Sequence, residues 1–294
     1  MYLAALKAAG FRWLPRSDSA FPPLLAAIHD PPAGLFLRGE GAPELLARAS
    51  VAIVGARSCS SYGSQVARSL GRELAASGLV VVSGLARGID GEAHRGALEA
   101  GGATVAVLGC GVDRDYPAIH ASLAASVAES GLVVSEYAPG VEPAPWRFPA
   151  RNRVIAGLTS VTVVVEARER SGALITADLA LEEGREVFAV PGEITSALAA
   201  GPNRLLQLGA SPVTRAQDVL DVFGIRPAEG RSVSPVLGDT AQRVLERVQD
   251  SPAAADEVSR ALAIPAGELA VALSELELAG LITESDGVYR GVRP

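Results

Sequence analysis

The sequence predicts an α/β protein built on a doubly wound parallel sheet, followed by a smaller C-terminal domain. Apolar runs alternate with helical stretches from residue 51 to about residue 224, as in parallel strands joined by crossover helices. Four of these runs end in loops rich in Gly, Ser, Pro or Arg. A barrel of eight such units would need two more of them, so an open sheet is favoured. The six predicted strands lie at 51–54, 79–82, 103–108, 132–135, 161–165 and 186–190.

The sheet domain is expected to be flanked by shorter segments. Residues 1–50 are interpreted as an N-terminal lead-in, because Pro-containing turns interrupt any long helix there. Residues 51–224 form the sheet domain, and residues 225–238, rich in Gly, Pro and Ser, form a flexible linker. Residues 239–294 are predicted to form three helices and a hairpin, which is the arrangement of a winged helix.

The first two predicted strands end in loops that suit an anion. Gly55 and Arg57 follow the first strand, and the second strand runs into the small-residue turn at 83–88. Backbone N–H groups in such loops attract anions, and a guanidinium can hold a phosphate through two parallel hydrogen bonds. The dinucleotide fingerprint G-x-G-x-x-G is absent, so a redox dinucleotide is disfavoured. The alternative is that the glycines of these loops only permit tight turns.

Composition excludes several classes of protein. Of 294 residues, 49% are hydrophobic and 20% are charged, which is enough apolar material for a sizeable core. No stretch is long and apolar enough to span a membrane, and no signal peptide opens the chain. Cys59 and Cys110 have neither a disulfide framework nor a metal-ligand spacing. We therefore expect a cytoplasmic, reduced protein without a metal or a cofactor.

The net charge of -7 is unevenly distributed. Residues 239–294 hold ten acidic and five basic residues, so they carry -5 of the total. Between Arg147 and Arg170, five arginines face only two glutamates. A polyanion responds to such a local field more than to the global charge, so the acidic total is compatible with a nucleic-acid partner.

The arginine-rich segment holds the densest chemistry. Phe148 precedes Arg151, Asn152 and Arg153 at the expected start of a helix. An exposed aromatic ring beside arginines suits the stacking of unpaired bases over a phosphate-binding track. The alternative is that Phe148 belongs to the core and that the arginines cap the helix or form salt bridges. The helix after the fifth strand has a donor-rich start, which consists of Ser171, Gly172 and Thr176.

A series of motifs runs in order from about Phe21 to Val219. They are V-G-A-R-S…Y-G, S-G-L-A-R-G-I-D…A-H…A-L, L-G-C-G…Y-P, S-E, F-P-A-R-N-R-V-I-A-G-L, V-V-E-A…S-G-A-L-I-T-A and V-P-G. Together they resemble the DNA-processing protein A (DprA/Smf) family. The resemblance implies an extended Rossmann-like domain without catalytic activity, which binds single-stranded DNA and forms homodimers. It also implies that the protein protects incoming strands and loads a RecA-type recombinase during natural transformation and recombination.

The resemblance and the loop positions together define a candidate DNA-binding set. Its members are Gly55, Arg57, Ser58, Gly84, Arg87, Phe148, Arg151, Asn152, Arg153, Ser171, Gly172 and Thr176. Ala56 departs from the family pattern, which usually has Ser or Thr at this position. That change removes a possible hydroxyl donor but leaves the backbone N–H.

Two other functions stay open on the sequence alone. Glu136 and Glu166 both end strands at the expected ligand edge, and paired carboxylates can hydrolyse a glycosidic bond. The alternative is therefore a nucleotide phosphoribohydrolase of the lysine-decarboxylase-like superfamily, although Pro191-Gly192-Glu193 does not reproduce its P-G-G-x-G-T-x-x-E motif. A structural adaptor with a relic pocket is the third hypothesis. Asp90 is expected to cap the helix that carries His94. His94 with Asp90 and Glu92 could suggest metal binding or acid-base work, but a capping and packing role is favoured.

Two contacts with other proteins are also predicted. The third helix of the expected winged helix carries Glu268, Glu275 and Glu277 and no basic residue, so phosphate repulsion should oppose its docking on duplex DNA. A protein contact is expected there instead. The stretch Leu198–Phe223 has more apolar residues than one sheet edge should need for its cover. We expect it to form a two-fold dimer contact. The alternative is that it packs on the last strand.

Overall fold

A computed structural model describes residues 6–226, 237–285 and 287–291 of the chain. The chain divides into two units, Met1–Pro227 and Ala228–Pro294. Most of the predicted linker, 225–238, lies outside the described residues. Among the described helices, none combines a bilayer-spanning length with the apolar composition that a membrane segment needs.

The described part of the first unit is built on a mixed sheet of nine strands. They are β1 (Phe11–Pro15), β2 (Gly34–Arg38), β3 (Ser50–Val54), β4 (Val80–Ser83), β5 (Thr104–Leu108), β6 (Leu132–Ser135), β7 (Val161–Val164), β8 (Glu186–Ala189) and β9 (Ser211–Pro212). The strand order is β1-β2-β6-β5-β4-β3-β7-β8-β9, and neighbours from β6 to β9 are parallel. The chain builds outward from β3 to β6 and then returns to the other side of β3 with β7. Ligands of open α/β sheets bind at such a reversal, beyond the carboxyl ends of the strands.

The two strands at one edge come from the segment interpreted as a lead-in. β1 pairs antiparallel with β2, which pairs antiparallel with β6, and the Trp13 and Phe36 ring centroids lie 4.5 Å apart. Arg12 interrupts the apolar character of β1, and its guanidinium donates to the carbonyls of Gly39 and Gly41. A five-residue strand with a charged side chain has little pattern of its own, and its partners lie far along the chain. Residues 11–38 thus extend the sheet.

Helices cover both faces of this sheet. They are α1 (Pro23–Ala26), α2 (Ser61–Ala76), α3 (Ile89–Glu99), α4 (Ala121–Ser130), α5 (Arg147–Leu158), α6 (Gly172–Glu182), α7 (Ala200–Gln207) and α8 (Ala216–Leu220). Successive side chains of a strand point to opposite faces, so β3 contributes to two cores. Ala52 and Val54 pack with α5 and α6, whereas Val51 and Ile53 pack with α2 and α3. The predicted doubly wound sheet is confirmed, and its six predicted strands are the parallel strands β3 to β8.

The second unit is a small helical domain with a hairpin. Its elements are α9 (Asp239–Asp250), β10 (Ala253–Ala254), α10 (Ala255–Leu262), α11 (Ala266–Leu278), β11 (Ile282–Ser285) and β12 (Val288–Gly291). β12 lies between β10 and β11. The buried residues of α9 recur with helical spacing at Ala241, Val244, Leu245 and Val248, and they join α11 in a common core. The predicted winged helix is confirmed.

Candidate nucleic-acid interface

A cavity of about 430 Å³ opens beyond the carboxyl ends of β3 and β7, where the strand order reverses. It is bounded by the loop after β3, the loop before α3, the start of α5 and the start of α6. The candidate residues in its lining are Gly55, Arg57, Phe148, Arg151, Asn152, Ser171, Gly172 and Thr176. Residues separated by more than a hundred positions in the sequence thus meet in one site.

An aromatic surface with a cation above it forms one wall. Phe148 is half-buried, and its ring stacks against that of Tyr116 with centroids 5.4 Å apart and planes tilted by 24°. The guanidinium of Arg57 lies 5.2 Å from the centroid of the Phe148 ring. Phe148 therefore faces the cavity instead of acting as a core residue, and Arg57 is exposed beside it. Such a wall can stack a planar group and pair with an anion at the same time.

The opposite wall is the first turn of α6. Ser171 caps this helix, and its hydroxyl accepts a hydrogen bond from the Ala173 N–H at 3.3 Å. The buried side chains of Asn152 and Thr176 both donate to the Gly172 carbonyl, at 3.0 and 3.3 Å. These two side chains therefore hold the turn in place. The positive end of the α6 dipole faces the cavity, which favours an anion there.

Arg151 supports the floor of the cavity. Its side chain is buried, its Nη1 donates to the carbonyls of Gly84 (3.0 Å) and Val107, and its Nε donates to Asn152 Oδ1. Burial lowers the pKa of Arg151 to about 10, against the opposing effect of Asp90. A Cβ on Gly84 would lie 2.6 Å from Arg151 Nη2, so this loop requires glycine.

Asp90 completes the floor at the start of α3. Its carboxylate accepts hydrogen bonds from the N–H groups of Gly84 (3.1 Å) and Ala86 (3.4 Å), and the residue is buried. Burial raises the pKa of Asp90, while the Arg151 guanidinium and these N–H groups act in the opposite direction. At Gly88, with φ of +75°, a side chain would collide with the Ala56 carbonyl, so the two loops approach closely only because glycine stands there.

Four candidate residues lie outside the lining. Ser58 and Arg87 are exposed on the flanking loops, and Gly84 lies against Arg151. Arg153 points elsewhere, because its guanidinium pairs with Glu136 at 2.7 Å and with Asp30 at 2.9 Å. The salt-bridge interpretation therefore holds for Arg153.

The two carboxylates considered for hydrolysis have separate structural partners. Glu136 pairs with Arg153. Glu166 is buried and accepts hydrogen bonds from the backbone N–H (2.8 Å) and the hydroxyl of Ser60, the residue that caps α2. Neither carboxylate is among the lining residues of the cavity. The observation that supported a phosphoribohydrolase is thus accounted for by helix capping and a salt bridge.

Sequence reasoning missed Tyr116 and Asp90 as members of the site. Tyr116 belongs to the Y-P motif after β5, yet a loop tyrosine has no periodicity that would point it at Phe148. Asp90 was interpreted only as a helix cap. Its hydrogen bonds to the preceding loop could not be inferred, because they depend on how that loop turns back.

Comparison with known proteins agrees with this architecture. A family model described as DNA recombination-mediator protein A matches residues 12–224, and a DprA winged helix domain model matches residues 227–287. Protein Smf of Escherichia coli (strain K12) is 41% identical over 290 residues, covering 95% of this chain and 77% of that protein. DNA processing protein DprA of Streptococcus pneumoniae is 47% identical over 206 residues, covering 70% of this chain and 72% of that protein.

Two solved structures are similar to this one over about three quarters of the chain. The X-ray structure of DNA processing protein A from Streptococcus pneumoniae has a TM-score of 0.69 at 44% identity, covering 74% of this chain and 77% of that one. DNA processing protein A from Helicobacter pylori, whose structure concerns a single-stranded DNA binding mode, has a TM-score of 0.65 at 31% identity, covering 72% and 95%. The chain belongs to the DNA recombination-mediator protein A family.

Proposed function

We propose that the cavity binds single-stranded DNA, and that the protein protects incoming strands and loads a RecA-type recombinase on them during natural transformation and recombination. The observation that carries this proposal is the position of the Arg57 guanidinium over the Phe148 ring at the reversal of strand order. A base can stack on the aromatic surface of Phe148 and Tyr116 while its phosphate meets Arg57 and the start of α6. The Helicobacter pylori relative, whose structure concerns single-stranded DNA, supports the same role.

The residues at the cavity have different roles under this proposal. Arg57, Phe148 and Tyr116 contact the strand, because their side chains reach the cavity from partly exposed positions. Ser171 and Gly172 offer backbone N–H groups at the start of α6. Three candidate residues are buried and do not contact the strand themselves. They position the residues that do, and they are Arg151, Asn152 and Thr176. Ser58 and Arg87 flank the entrance, where longer strands would pass.

The proposal predicts a preference for unpaired strands. Bases can stack on Phe148 only when they are not paired, so labelled single-stranded oligonucleotides should bind more tightly than the duplex, and binding should weaken as salt rises. Fluorescence anisotropy measures both the strand preference and the salt dependence.

Phe148→Ala should weaken binding by about 1–3 kcal/mol, the usual contribution of one stacked base. Tyr62→Ala removes another exposed aromatic ring outside the cavity lining and serves as the matched control. Equal affinity for both forms of DNA would refute the proposal.

The homodimer is part of the same proposal, and the exposure of the apolar residues supports one choice of contact surface. Leu205 and Val219, within the predicted stretch, are buried at 5% and 0% exposure, so they pack in the first unit itself. Leu208 is 71% exposed and lines a groove of about 550 Å³ between α6 and α7, together with the exposed Ile175. We propose that the two-fold contact lies on this groove, because Leu208 and Ile175 lack cover within the described part of the unit.

A further inference from the structure

The outer face of α11 carries two apolar side chains that stay exposed within the described part of the second unit. Val271 is 69% exposed and Leu278 is 91% exposed. The core-facing side of the same helix is already occupied by Leu269, Leu273 and Leu276, which are buried. A large apolar side chain left in water on a small domain indicates a contact with something else when it belongs to a patch.

The exposed residues form a patch with a defined geometry. Val271, Ser274, Glu275 and Leu278 stand at positions i, i+3, i+4 and i+7 of α11. Four residues with this spacing make the hole that receives one apolar side chain from a facing helix. These four residues and Ala270 line a shallow, open surface of the helix, called the α11 depression here. Its apolar ends lie roughly 10 Å apart along the helix, at about 1.5 Å per residue.

The charge around the α11 depression selects the kind of occupant. Glu275 lines the depression, Glu268 and Glu277 are also exposed on α11, and this helix has no basic residue. A phosphate backbone or an anionic lipid surface would be repelled. A second copy of α11 would bring two acidic rims together, which is also unfavourable. A partner that places Lys or Arg beside its apolar side chain is complementary.

We infer that the α11 depression docks a basic amphipathic helix of another protein. One apolar side chain of that helix fills the depression between Val271 and Leu278, and its neighbouring Lys or Arg residues pair with Glu275 and Glu268. In this mode of recognition the apolar contact provides affinity and the charged pairs provide orientation. The inference does not rest on the DNA cavity, which belongs to the first unit.

The test uses the full-length protein and labelled synthetic peptides in fluorescence anisotropy. One peptide has Leu on one helical face and Lys on the other, a second is a scramble of the same composition, and a third has Glu in place of Lys. The first should bind, and the other two should bind at least about tenfold more weakly. The double variant Val271→Ser, Leu278→Ser should raise the Kd of the first peptide at least about tenfold. Glu275→Gln should raise it by a smaller factor, most visibly at low salt.

The controls separate docking from general stickiness and from DNA binding. Ile194→Ser removes an apolar side chain that is 96% exposed in the first unit, and it should leave the Kd unchanged. The double variant should bind single-stranded DNA like the unchanged protein, because the cavity lies in the first unit. If the unchanged protein bound the first peptide but no single-stranded DNA, the proposed function would fail and this inference would stand. Equal peptide binding by the double variant, or equal binding of the scrambled peptide, would overturn the inference. A lower light-scattering mass of the double variant without peptide would identify a second copy as the occupant and would overturn it too.

Discussion

Arg57 and Arg151 line the same cavity in opposite environments. Arg57 is exposed, with its guanidinium over the Phe148 ring. Arg151 is 6% exposed, and its N–H groups already bond the carbonyls of Gly84 and Val107. An exposed guanidinium can direct its donors to a phosphate, whereas a buried one bonded to the backbone holds the protein together.

Replacing the two arginines should therefore have different effects. Arg57→Ala should weaken binding of single strands by about 1.5–3 kcal/mol. Arg57→Lys should recover only part of the lost affinity, because an ammonium group lacks the planar, two-pronged geometry of the guanidinium. Arg151→Ala should lower the free energy of unfolding by about 1–3 kcal/mol for each buried carbonyl that loses its donor, and these are the carbonyls of Gly84 and Val107. Anisotropy and urea unfolding measure the two effects, and Arg16→Ala, an exposed arginine after β1, controls for the lost charge. If Arg57→Ala unfolds while its folded fraction binds normally, Arg57 is structural.

The sequence indicated both arginines but not the difference between them. Arg57 follows a predicted strand directly, so its place at the sheet edge could be predicted from topology alone. The burial of Arg151 depends on a bond to Gly84, which lies 67 positions away, and on the Val107 carbonyl at the end of β5. Spacing on α5 carries no information about those partners. The same holds for Tyr116, which reaches Phe148 from a loop after β5.

At the scale of elements, His94 ties α3 to the sheet. Its Nδ1 lies 2.7 Å from the hydroxyl of Thr104 on β5, and that hydroxyl donates to the Val81 carbonyl. Nδ1 must therefore carry the proton and donate, which fixes the neutral tautomer of the ring. Burial lowers the pKa of His94 to about 3, with smaller contributions from nearby positive groups.

This tie should make the fold sensitive to acid. The folded state favours the neutral ring, so the unfolded chain takes up the proton first, and stability falls as pH drops below about 6.5 towards 3. The loss is about 1.4 kcal/mol per pH unit, or about 2 kcal/mol between pH 7.5 and 5.0. His94→Gln should lose about 2 kcal/mol less over this interval in urea unfolding, even if it starts less stable. Equal losses for the two proteins would show that this ring does not link protonation to folding.

The parallel strands were predictable because burial on both faces makes them continuous apolar runs. All four residues of β4 are buried, for example, and so are all five of β5. β1 and β9 gave no such signal. β1 is only partly buried along its length, and β9 has two residues, so each depends on pairing with a neighbour that the local sequence does not specify.

At the scale of the whole molecule, one cavity is small for a long strand. A cavity of about 430 Å³ can hold only a few nucleotides, so a protein that delivers long strands gains from two linked sites. Once the first site is occupied, the second contact becomes effectively intramolecular, and the combined affinity rises without any new contact. A two-fold dimer through the groove between α6 and α7 would supply this. The groove also shares Ser171 and Gly172 with the cavity at the strand-order reversal, so a dimer contact there would lie beside a strand bound in the cavity.

The proposed dimer can be tested by substitutions at its contact surface, provided that the residues chosen are exposed. Leu205→Glu or Val219→Glu would place a charge in the core and unfold the chain, so neither can test assembly. Leu208→Glu changes a side chain that is 71% exposed, and it should raise the dimer dissociation constant at least about tenfold while the melting temperature of the monomer stays level. Ile119→Glu, at 72% exposure in the short 3-10 helix Ala118–His120 before α4, is the matched control and should keep the dimer. Light scattering at micromolar concentration reads the mass of each variant. A dimer that survives Leu208→Glu would place the interface elsewhere, and a monomeric mass for the unchanged protein, with and without DNA, would remove the linked-site argument.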